Sequence, residues 1–248
     1  MKISGKNIKR ICQALWRMAE SLLFPDRCPM CDGLLPYPET GVCVDCAKKV
    51  RYVLEPYCMK CGKKIADSEV EYCVDCRKRP HKFVRGRALY EYQTAAPALY
   101  RLKYGGRREY AEVFGEEMAF FLGDFIRACK PDALIPVPMH PSRVRRRGYN
   151  QAELLARAVG ARMNIPVYTN LVRRVQNTRA LKTLNREERL NYLKKAFILC
   201  QNGVKLSSVI IVDDIYTTGS TIDAVCHVLL SEGEKQIYFI ALASGEGI

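Results

Sequence analysis

Two adjacent carboxylates and a run of small polar residues are the strongest candidates for chemistry in this chain. Asp213 and Asp214 follow the apolar run Val209–Val212. A helix N-terminus with free N–H groups and hydroxyl donors suits a phosphate, and two neighbouring acids can accept hydrogen bonds from a vicinal diol. A sugar phosphate carries both groups, so this stretch predicts binding of such a ligand. The small residues that follow the acids are Thr217, Thr218, Gly219, Ser220 and Thr221.

Two other interpretations of this stretch explain less of it. Capping a helix needs one small polar residue at its start, whereas this chain has five of them plus two acids. A Walker A loop would need Gly-Lys-Ser or Gly-Lys-Thr after the strand, and that sequence does not occur there.

The segments around these residues predict a strand, a loop, a helix and a second strand. Val209–Val212 is β-branched throughout, which is typical of a buried strand. Apolar residues at helical spacing from Thr221 predict a helix that ends at Gly233, and Gln236–Ala243 predicts the next strand. Such a unit belongs to a parallel sheet covered by helices, with ligands beyond the carboxyl ends of the strands. The predicted fold class is therefore α/β.

Eight cysteines form four Cys-x-x-Cys pairs whose first members lie 15 residues apart. Two such pairs supply the four thiolates of one tetrahedral zinc site. The regular array predicts two structural zinc ions rather than one complete site, disulfides or a thioredoxin-like redox pair. Sequential pairing is the simplest, and the spacing leaves interleaved pairing open. The predicted ligands are Cys28, Cys31, Cys43, Cys46, Cys58, Cys61, Cys73 and Cys76.

The composition indicates a globular protein with an anionic partner. Hydrophobic residues make up 48% and charged residues 27% of the 248 positions, and the formal net charge is +14. Residues 143–195 hold 14 basic and three acidic side chains, which favours binding of phosphate.

The N-terminal segment predicts an amphipathic helix over residues 1–25. Gln13, Arg17 and Glu20 interrupt any signal-peptide core, and no uncharged apolar run reaches the ~20 residues of a membrane span. The apolar stripe favours a helix docked on the protein, with a membrane-surface or partner helix as the alternative. A cytoplasmic location, peripheral to the inner membrane at most, is expected.

Residues 209–221 resemble the phosphoribosyl pyrophosphate motif of type I phosphoribosyltransferases: a hydrophobic strand, two acids and a Thr-Thr-Gly-x-Thr loop. The blocks LKYGGR and RRRGYNQAELLA, preceded by the cysteine pairs, are similar to the ComF family of competence proteins, relatives of the gluconate-utilisation protein GntX. The resemblance implies a double zinc ribbon at 26–87 and a type I phosphoribosyltransferase-like domain with a parallel sheet at 88–248.

The resemblance also implies roles for individual residues. Asp213 and Asp214 would hold the ribose 2′- and 3′-hydroxyls, and residues 217–221 would hold the 5′-phosphate of a phosphoribosyl pyrophosphate bound with Mg²⁺. Residues 171–196 correspond to the family's mobile, basic insertion, and this chain has Leu181 near a position where many relatives carry Gln. In related transferases the loop after the first strand binds pyrophosphate, and here that loop would comprise Met139, His140, Pro141, Ser142 and Arg143.

Clustered cations and aromatic residues favour single-stranded DNA as a further ligand. Cations displace counterions from phosphates, and aromatic rings stack on unpaired bases. Pyrophosphate needs cations in the same loops, so the two hypotheses depend on the same residues, and a solvated basic surface is the alternative to both. The predicted nucleic-acid residues are Lys103, Arg145, Arg146, Arg147, Tyr149, Arg173 and Arg174.

By resemblance, the chain acts in DNA uptake during natural transformation, together with other DNA-uptake proteins on the cytoplasmic side of the membrane channel. The first alternative is an active phosphoribosyltransferase in nucleotide salvage or nucleic-acid modification. The second is a sensor whose DNA affinity changes when sugar phosphate binds. The sequence identifies no acceptor and no catalytic acid or base, and His81 is expected to be structural.

Overall fold

The computed structural model describes residues 25–176, 195–200, 204–233 and 235–245. The chain divides into two compact units, Met1–Val50 and Arg51–Ile248. Most of the predicted N-terminal helix and most of the basic insertion lie outside the described residues, and the domain boundaries drawn from the sequence stay a prediction. Among the described helices, none is long and apolar enough to cross a membrane.

The first unit contains one zinc-ribbon turn. The backbone N–H of Asp32 donates to the carbonyl of Cys28 at 2.8 Å, which closes the turn after the first Cys-x-x-Cys pair. An isolated antiparallel bridge joins Arg27 to Leu34 on either side of the turn. The short helix α1 (Val44–Ala47) carries the second pair.

The second unit begins with the same local structure 30 residues further along the chain. Here the backbone N–H of Gly62 donates to the carbonyl of Cys58 at 2.8 Å, and a bridge joins Tyr57 to Lys64. The helix α2 (Val74–Lys78) follows. The repeat read from the cysteine spacing is therefore a structural repeat.

A parallel sheet forms the centre of the second unit. Its four strands lie in the order β1-β6-β5-β2, with all neighbours parallel, which confirms the predicted fold class. Two further strands pair antiparallel outside this sheet. In chain order the strands are β1 (Gly86–Glu91), β2 (Ala133–Pro136), β3 (Val172–Arg174), β4 (Phe197–Leu199), β5 (Ser208–Tyr216) and β6 (Gln236–Ser244).

Helices connect the parallel strands. Asn150 caps the helix after the RRRG sequence, since its side chain accepts from the N–H of Ala152 at 3.1 Å. The helices are α3 (Tyr92–Tyr104), α4 (Tyr110–Phe121), α5 (Gly123–Cys129), α6 (Pro141–Arg147), α7 (Gln151–Met163) and α8 (Ser220–Leu230).

The prediction of a pyrophosphate loop at residues 139–143 was wrong in its local structure, because residues Pro141–Arg147 form the helix α6. Proline is well tolerated at the first position of a helix, and the arginines in its last turn lie where the helix dipole is negative. Seven residues with a single apolar member show no hydrophobic periodicity, so the pattern gave no sign of this helix.

The strand that carries the two acids is longer than predicted. The sequence predicted Val209–Val212 with the acids beyond its end, but β5 continues through them to Tyr216. The neighbouring strand β6 is equally long and pairs with β5 up to Ser244, so the ladder extends past the acids. Asp213, for example, lies opposite Ala241.

One hydrophobic cluster of the second unit includes both buried cysteines of the second Cys-x-x-Cys turn, Cys58 and Cys61. Phe83 packs edge-on against Phe239 with ring centroids 4.9 Å apart, and Tyr216 stacks on Phe239 at 4.5 Å. The second ribbon turn is therefore part of the core beneath the sheet.

Short segments pair with both outer strands of the sheet. Residues 51–53 exchange backbone hydrogen bonds with Leu89 and Glu91 of β1, at 2.8 and 2.9 Å. Residues 166–168 pair with Leu134 of β2 through two hydrogen bonds of 2.9 Å. Each pairing covers part of an edge that would otherwise be open.

Candidate functional site

Burial changes the chemistry of the two adjacent acids. Asp213 is 9% and Asp214 is 6% exposed, and the N–H of Asp214 donates to Oδ1 of Asp213 at 2.9 Å. Burial raises the pKa of Asp213 well above its usual range, and the negative charge of Asp214 raises it further. The oxygens of both carboxyls can accept hydrogen bonds from the hydroxyls of a sugar diol.

Asp214 contacts side chains from two helices. Lys103, near the end of α3, forms an ion pair with Oδ2 of Asp214. Nε2 of Gln151, in the first turn of α7, donates to the same oxygen at 3.1 Å. Arg147 in turn donates to Oε1 of Gln151. The sequence assigned Lys103 to nucleic acid and gave Gln151 no role, because nothing in their spacing indicates that they meet Asp214.

The small-residue loop lies between β5 and α8. Gly219 has φ of +76°, a left-handed conformation that favours glycine. The hydroxyls of Thr218 and Ser220 are hydrogen-bonded at 3.0 Å. A hollow of about 30 Å³ lies against residues 215–222 and Asp213. The first N–H groups of a helix have no partner within the helix, so this loop has the donors that a phosphate requires.

A buried histidine, His81, packs against this loop and against the first turn of α8. The His81 side chain is 1% exposed, and its Nδ1 lies 2.7 Å from a carboxylate oxygen of Asp223 in the first turn of α8. The ring stacks on Phe83 with centroids 4.8 Å apart. A β-carbon added to Gly219 would lie only 2.8 Å from the His81 ring. His81 thus connects the chain after Cys76 to the loop, a contact that no local sequence pattern indicates.

An open cleft of about 340 Å³ brings the acids, the loop and several cations together. A larger hollow of about 460 Å³, at the other end of α7, is lined by a single charged residue, Arg157, and by none of the motif residues. We therefore take the smaller cleft as the site. The residues predicted from the sequence that line it are Lys103, Met139, Arg143, Arg147, Arg174, Asp213, Asp214, Thr217 and Thr221.

The other residues proposed for pyrophosphate or nucleic acid lie outside the cleft lining. Nδ1 of His140 accepts from the N–H of Ser142 at 3.2 Å and so caps α6. The hydroxyl of Tyr149 donates to the carbonyl of Leu102 at 2.6 Å, and burial raises its pKa. Their roles in ligand binding stay predictions. The remaining members of this group are exposed: Pro141, Arg145, Arg146 and Arg173.

The eight paired cysteines form two clusters, and in each all four sulfurs lie within 4.8 Å of one another. The separations of Cys31 from Cys43 and of Cys61 from Cys73 are 3.9 and 3.7 Å between sulfurs. Tetrahedral zinc with Zn–S bonds of about 2.3 Å requires sulfurs about 3.8 Å apart, so both clusters fit zinc. The pairing is sequential: Cys28, Cys31, Cys43 and Cys46 in one cluster, and Cys58, Cys61, Cys73 and Cys76 in the other.

Comparison with known proteins gives two family matches. A double zinc ribbon domain matches residues 19–77, and a phosphoribosyl transferase domain matches residues 144–246. The fold and these matches define a protein that joins a double zinc ribbon to a phosphoribosyltransferase domain. The chain belongs to the ComF family, which confirms the resemblance seen in its motifs.

Three relatives illustrate the family. The chain is 39% identical to competence protein F of Haemophilus influenzae over 46% of this chain and 50% of that protein. It is 32% identical to competence protein ComFC of Streptococcus pneumoniae over 63% and 66%. It is 29% identical to DNA utilization protein YhgH of Salmonella typhimurium over 87% and 96%. The matched part thus spans half of the first relative and 66% of the second.

Proposed function

We propose that the protein acts in DNA uptake, and that it binds single-stranded DNA and a phosphoribosyl pyrophosphate-type ligand on the cytoplasmic side of the membrane. The names of the relatives support the process. One observation carries the ligand assignment: Asp214, the Thr217–Thr221 loop and the cations Arg143 and Arg147 border the same cleft. A sugar phosphate with a diol and an anionic leaving group would match all three.

In this proposal the ligand spans the cleft from the loop to α6. The 5′-phosphate would sit on the helix start after Gly219, and the ribose hydroxyls would meet Asp213 and Asp214. The pyrophosphate would lie toward Arg143 and Arg147, and Mg²⁺ would neutralise part of its negative charge. Lys103 balances the charge of Asp214, and because it borders the cleft, its ammonium group would also be able to contact pyrophosphate.

Single-stranded DNA would bind beside this ligand. Arg145 and Arg146 are exposed on the same helix that contributes Arg143 and Arg147 to the cleft, and exposed arginines suit a phosphate backbone. Because the two ligands would share α6, binding of one is expected to change the affinity for the other. This overlap supports a sensor in which sugar phosphate regulates DNA binding.

Fluorescence anisotropy of a labelled single-stranded oligonucleotide, titrated with phosphoribosyl pyrophosphate at fixed salt and free Mg²⁺, tests the proposal. We expect displacement with wild-type protein and none with Asp213→Asn/Asp214→Asn. The control Asp124→Asn/Glu232→Gln removes the same charge from exposed positions and should behave like wild type. DNA binding indifferent to the ligand would separate the two sites, and absence of DNA binding would contradict the DNA assignment.

The exposed arginines can be tested separately. Arg145→Ala/Arg146→Ala should weaken oligonucleotide binding and reduce its salt slope by about one unit for each lost phosphate contact. Arg157→Ala/Arg162→Ala removes the same charge from surface ion pairs on α7 and serves as the control. Equal losses in the two variants would show that only net charge matters.

Phosphoribosyl transfer is the second candidate, and the complete set of acid pair and phosphate loop at one cleft favours it. The reaction needs stabilisation of an oxocarbenium-like transition state and of departing pyrophosphate, which cations and Mg²⁺ can supply. Pyrophosphate release that requires an added base or nucleic acid, and is lost in Asp213→Asn/Asp214→Asn, would establish the enzyme.

A further inference from the structure

Two tyrosines form an exposed aromatic surface on α3. Tyr100 and Tyr104, one helical turn apart, are 65% and 63% exposed, and their ring centroids lie 5.2 Å apart. The opposite face of the helix is anchored by buried Leu99 and Leu102. Packing of the helix therefore does not require these rings, and both are open to a ligand.

The tyrosine pair continues the lining of the cleft. Tyr104 borders the cleft, and the preceding residue Lys103 forms the ion pair with Asp214. The guanidinium of Arg147 lies 5.0 Å from the centroid of the Tyr104 ring, within the range of a cation–π contact. Aromatic rings and cations thus lie side by side at the mouth of the cleft.

We propose that the bases of single-stranded DNA stack on Tyr100 and Tyr104 while the neighbouring phosphates contact Arg147 and Arg143. The inference rests on the proposed DNA binding and assigns a stacking role to Tyr104, which lies in the LKYGGR block, and to Tyr100, which lies before it. Rings set among cations complement a ligand that alternates flat bases with negative phosphates. In a duplex the base faces are covered by their neighbours, so the platform selects single strands.

The platform makes a different contribution from that of the arginines. Stacking on an aromatic ring is worth roughly tenfold to a hundredfold in affinity for each base and does not displace counterions. Loss of the rings should therefore lower the affinity for a strand with bases at every salt concentration. A strand without bases should bind the ring-deficient protein as well as it binds wild type.

The test compares oligothymidylate with an abasic oligonucleotide of equal length, by anisotropy with the full-length zinc-loaded protein. Wild type should bind oligothymidylate at least tenfold more tightly than the abasic strand. Tyr100→Leu/Tyr104→Leu should weaken binding of oligothymidylate but not of the abasic strand, so that the two affinities become similar. The salt slope should stay unchanged. Tyr100→Phe/Tyr104→Phe keeps the rings and should behave like wild type.

The matched control is Tyr92→Leu/Phe120→Leu, which removes two other exposed rings and should leave the preference intact. Equal wild-type affinity for the two strands, or equal losses in the control and the Tyr100/Tyr104 leucine variant, would overturn the platform while leaving DNA binding in place. Absence of binding to either strand would overturn the proposed DNA binding and the platform with it. The thermal midpoint and zinc content of each variant establish that it is folded.

Discussion

The two cysteine clusters have the same spacing and the same turn, yet they stand in different surroundings. In the first cluster Cys28 is buried, whereas Cys31 is exposed. In the second, Cys58 and Cys61 are both fully buried and belong to the hydrophobic core of the larger unit. Of the two copies of the turn, one thus lies in the first unit, and the other is built into the hydrophobic core of the second unit.

The second cluster is also joined to the loop at residues 217–221 through packed side chains. Lys63, 6% exposed, bonds Asp75 at 2.9 Å and lies 5.7 Å from the ring centroid of Tyr216. Tyr216 ends the strand that carries the acids, and His81 contacts the first turn of α8. Zinc in the second cluster is therefore expected to support the proposed ligand site, whereas zinc in the first cluster is expected to stabilise the first unit.

The largest expected effect comes from matched cysteine variants. Cys61→Ser should remove the second zinc and destabilise the larger unit by about 3–5 kcal/mol, because a buried metal ligand and core packing are lost together. Its sugar-phosphate binding should fall with its stability. Zinc content and thermal unfolding measure both effects.

Cys31→Ser is the matched variant at the exposed position of the first cluster. It should lose one zinc while the unfolding transition of the larger unit and the sugar-phosphate affinity stay as in wild type. Equal loss of stability in the two variants would show that the two clusters contribute equally to the stability of the larger unit.

Substitution of the glycines at the two ends of α8 tests whether His81 supports the loop at residues 217–221. Gly219 and Gly233 both have positive φ, but only a side chain at 219 would meet His81 and Tyr216, each at 2.8 Å. Gly219→Ala should cost about 2–3 kcal/mol and weaken sugar-phosphate binding at least tenfold, since strain and overlap add. Gly233→Ala should cost about 1 kcal/mol and leave binding unchanged. Similar effects of both changes would show that His81 does not support the loop.

A pH scan tests a buried acid of the larger unit that belongs to neither cluster. Burial raises the pKa of Glu117 from 4.5 to about 7, and Oε2 of Glu117 is buried without a hydrogen-bond partner in the described part of the chain. The folded state therefore holds this proton more tightly than the unfolded chain. Its stabilising contribution is complete below about pH 4.5 and is lost as the pH rises through about 7.

Glu117→Gln stays neutral, so it should stabilise the larger unit at pH 8 by up to about 2 kcal/mol, once partial solvent screening is allowed for, and should flatten the stability between pH 5 and 8. The exposed neighbour Glu116 supplies the control Glu116→Gln, which should keep the wild-type pH dependence. Urea unfolding at several pH values measures the effect. The same pH dependence in wild type and in Glu117→Gln would contradict the assignment to Glu117.

The smallest effect concerns the rate of metal loss. A strong chelator should remove zinc in two phases, with the ion of the cluster that contains exposed Cys31 leaving at least tenfold faster. A colorimetric zinc indicator follows the release, and Cys31→Ser should lack the fast phase. Release of both ions at a single rate would show that the difference in burial has no kinetic consequence.

Local patterns of the sequence predicted secondary-structure elements and metal ligands, but they did not predict contacts between residues far apart along the chain. Cysteine spacing predicted the ligands of both clusters, although their sequential pairing needed the structure. The order of apolar and small residues predicted the strand and the helix around the acids, but not the end of the strand. Lys103 and His81 could not be assigned to the site, because Asp214 and Asp223 lie 111 and 142 positions away along the chain. The helix Pro141–Arg147 was missed since it has no apolar face to generate a period.

The short segments along the two outer strands have a consequence for how this protein meets other chains. An open strand edge is a template on which an extended peptide, or a second copy of the same protein, can add a strand and begin to aggregate. Here residues 51–53 and 166–168 already use hydrogen-bonding groups of β1 and β2, and Pro136 removes one donor from β2. Recognition by strand addition is therefore disfavoured, and partners of the sheet must be bound through side chains.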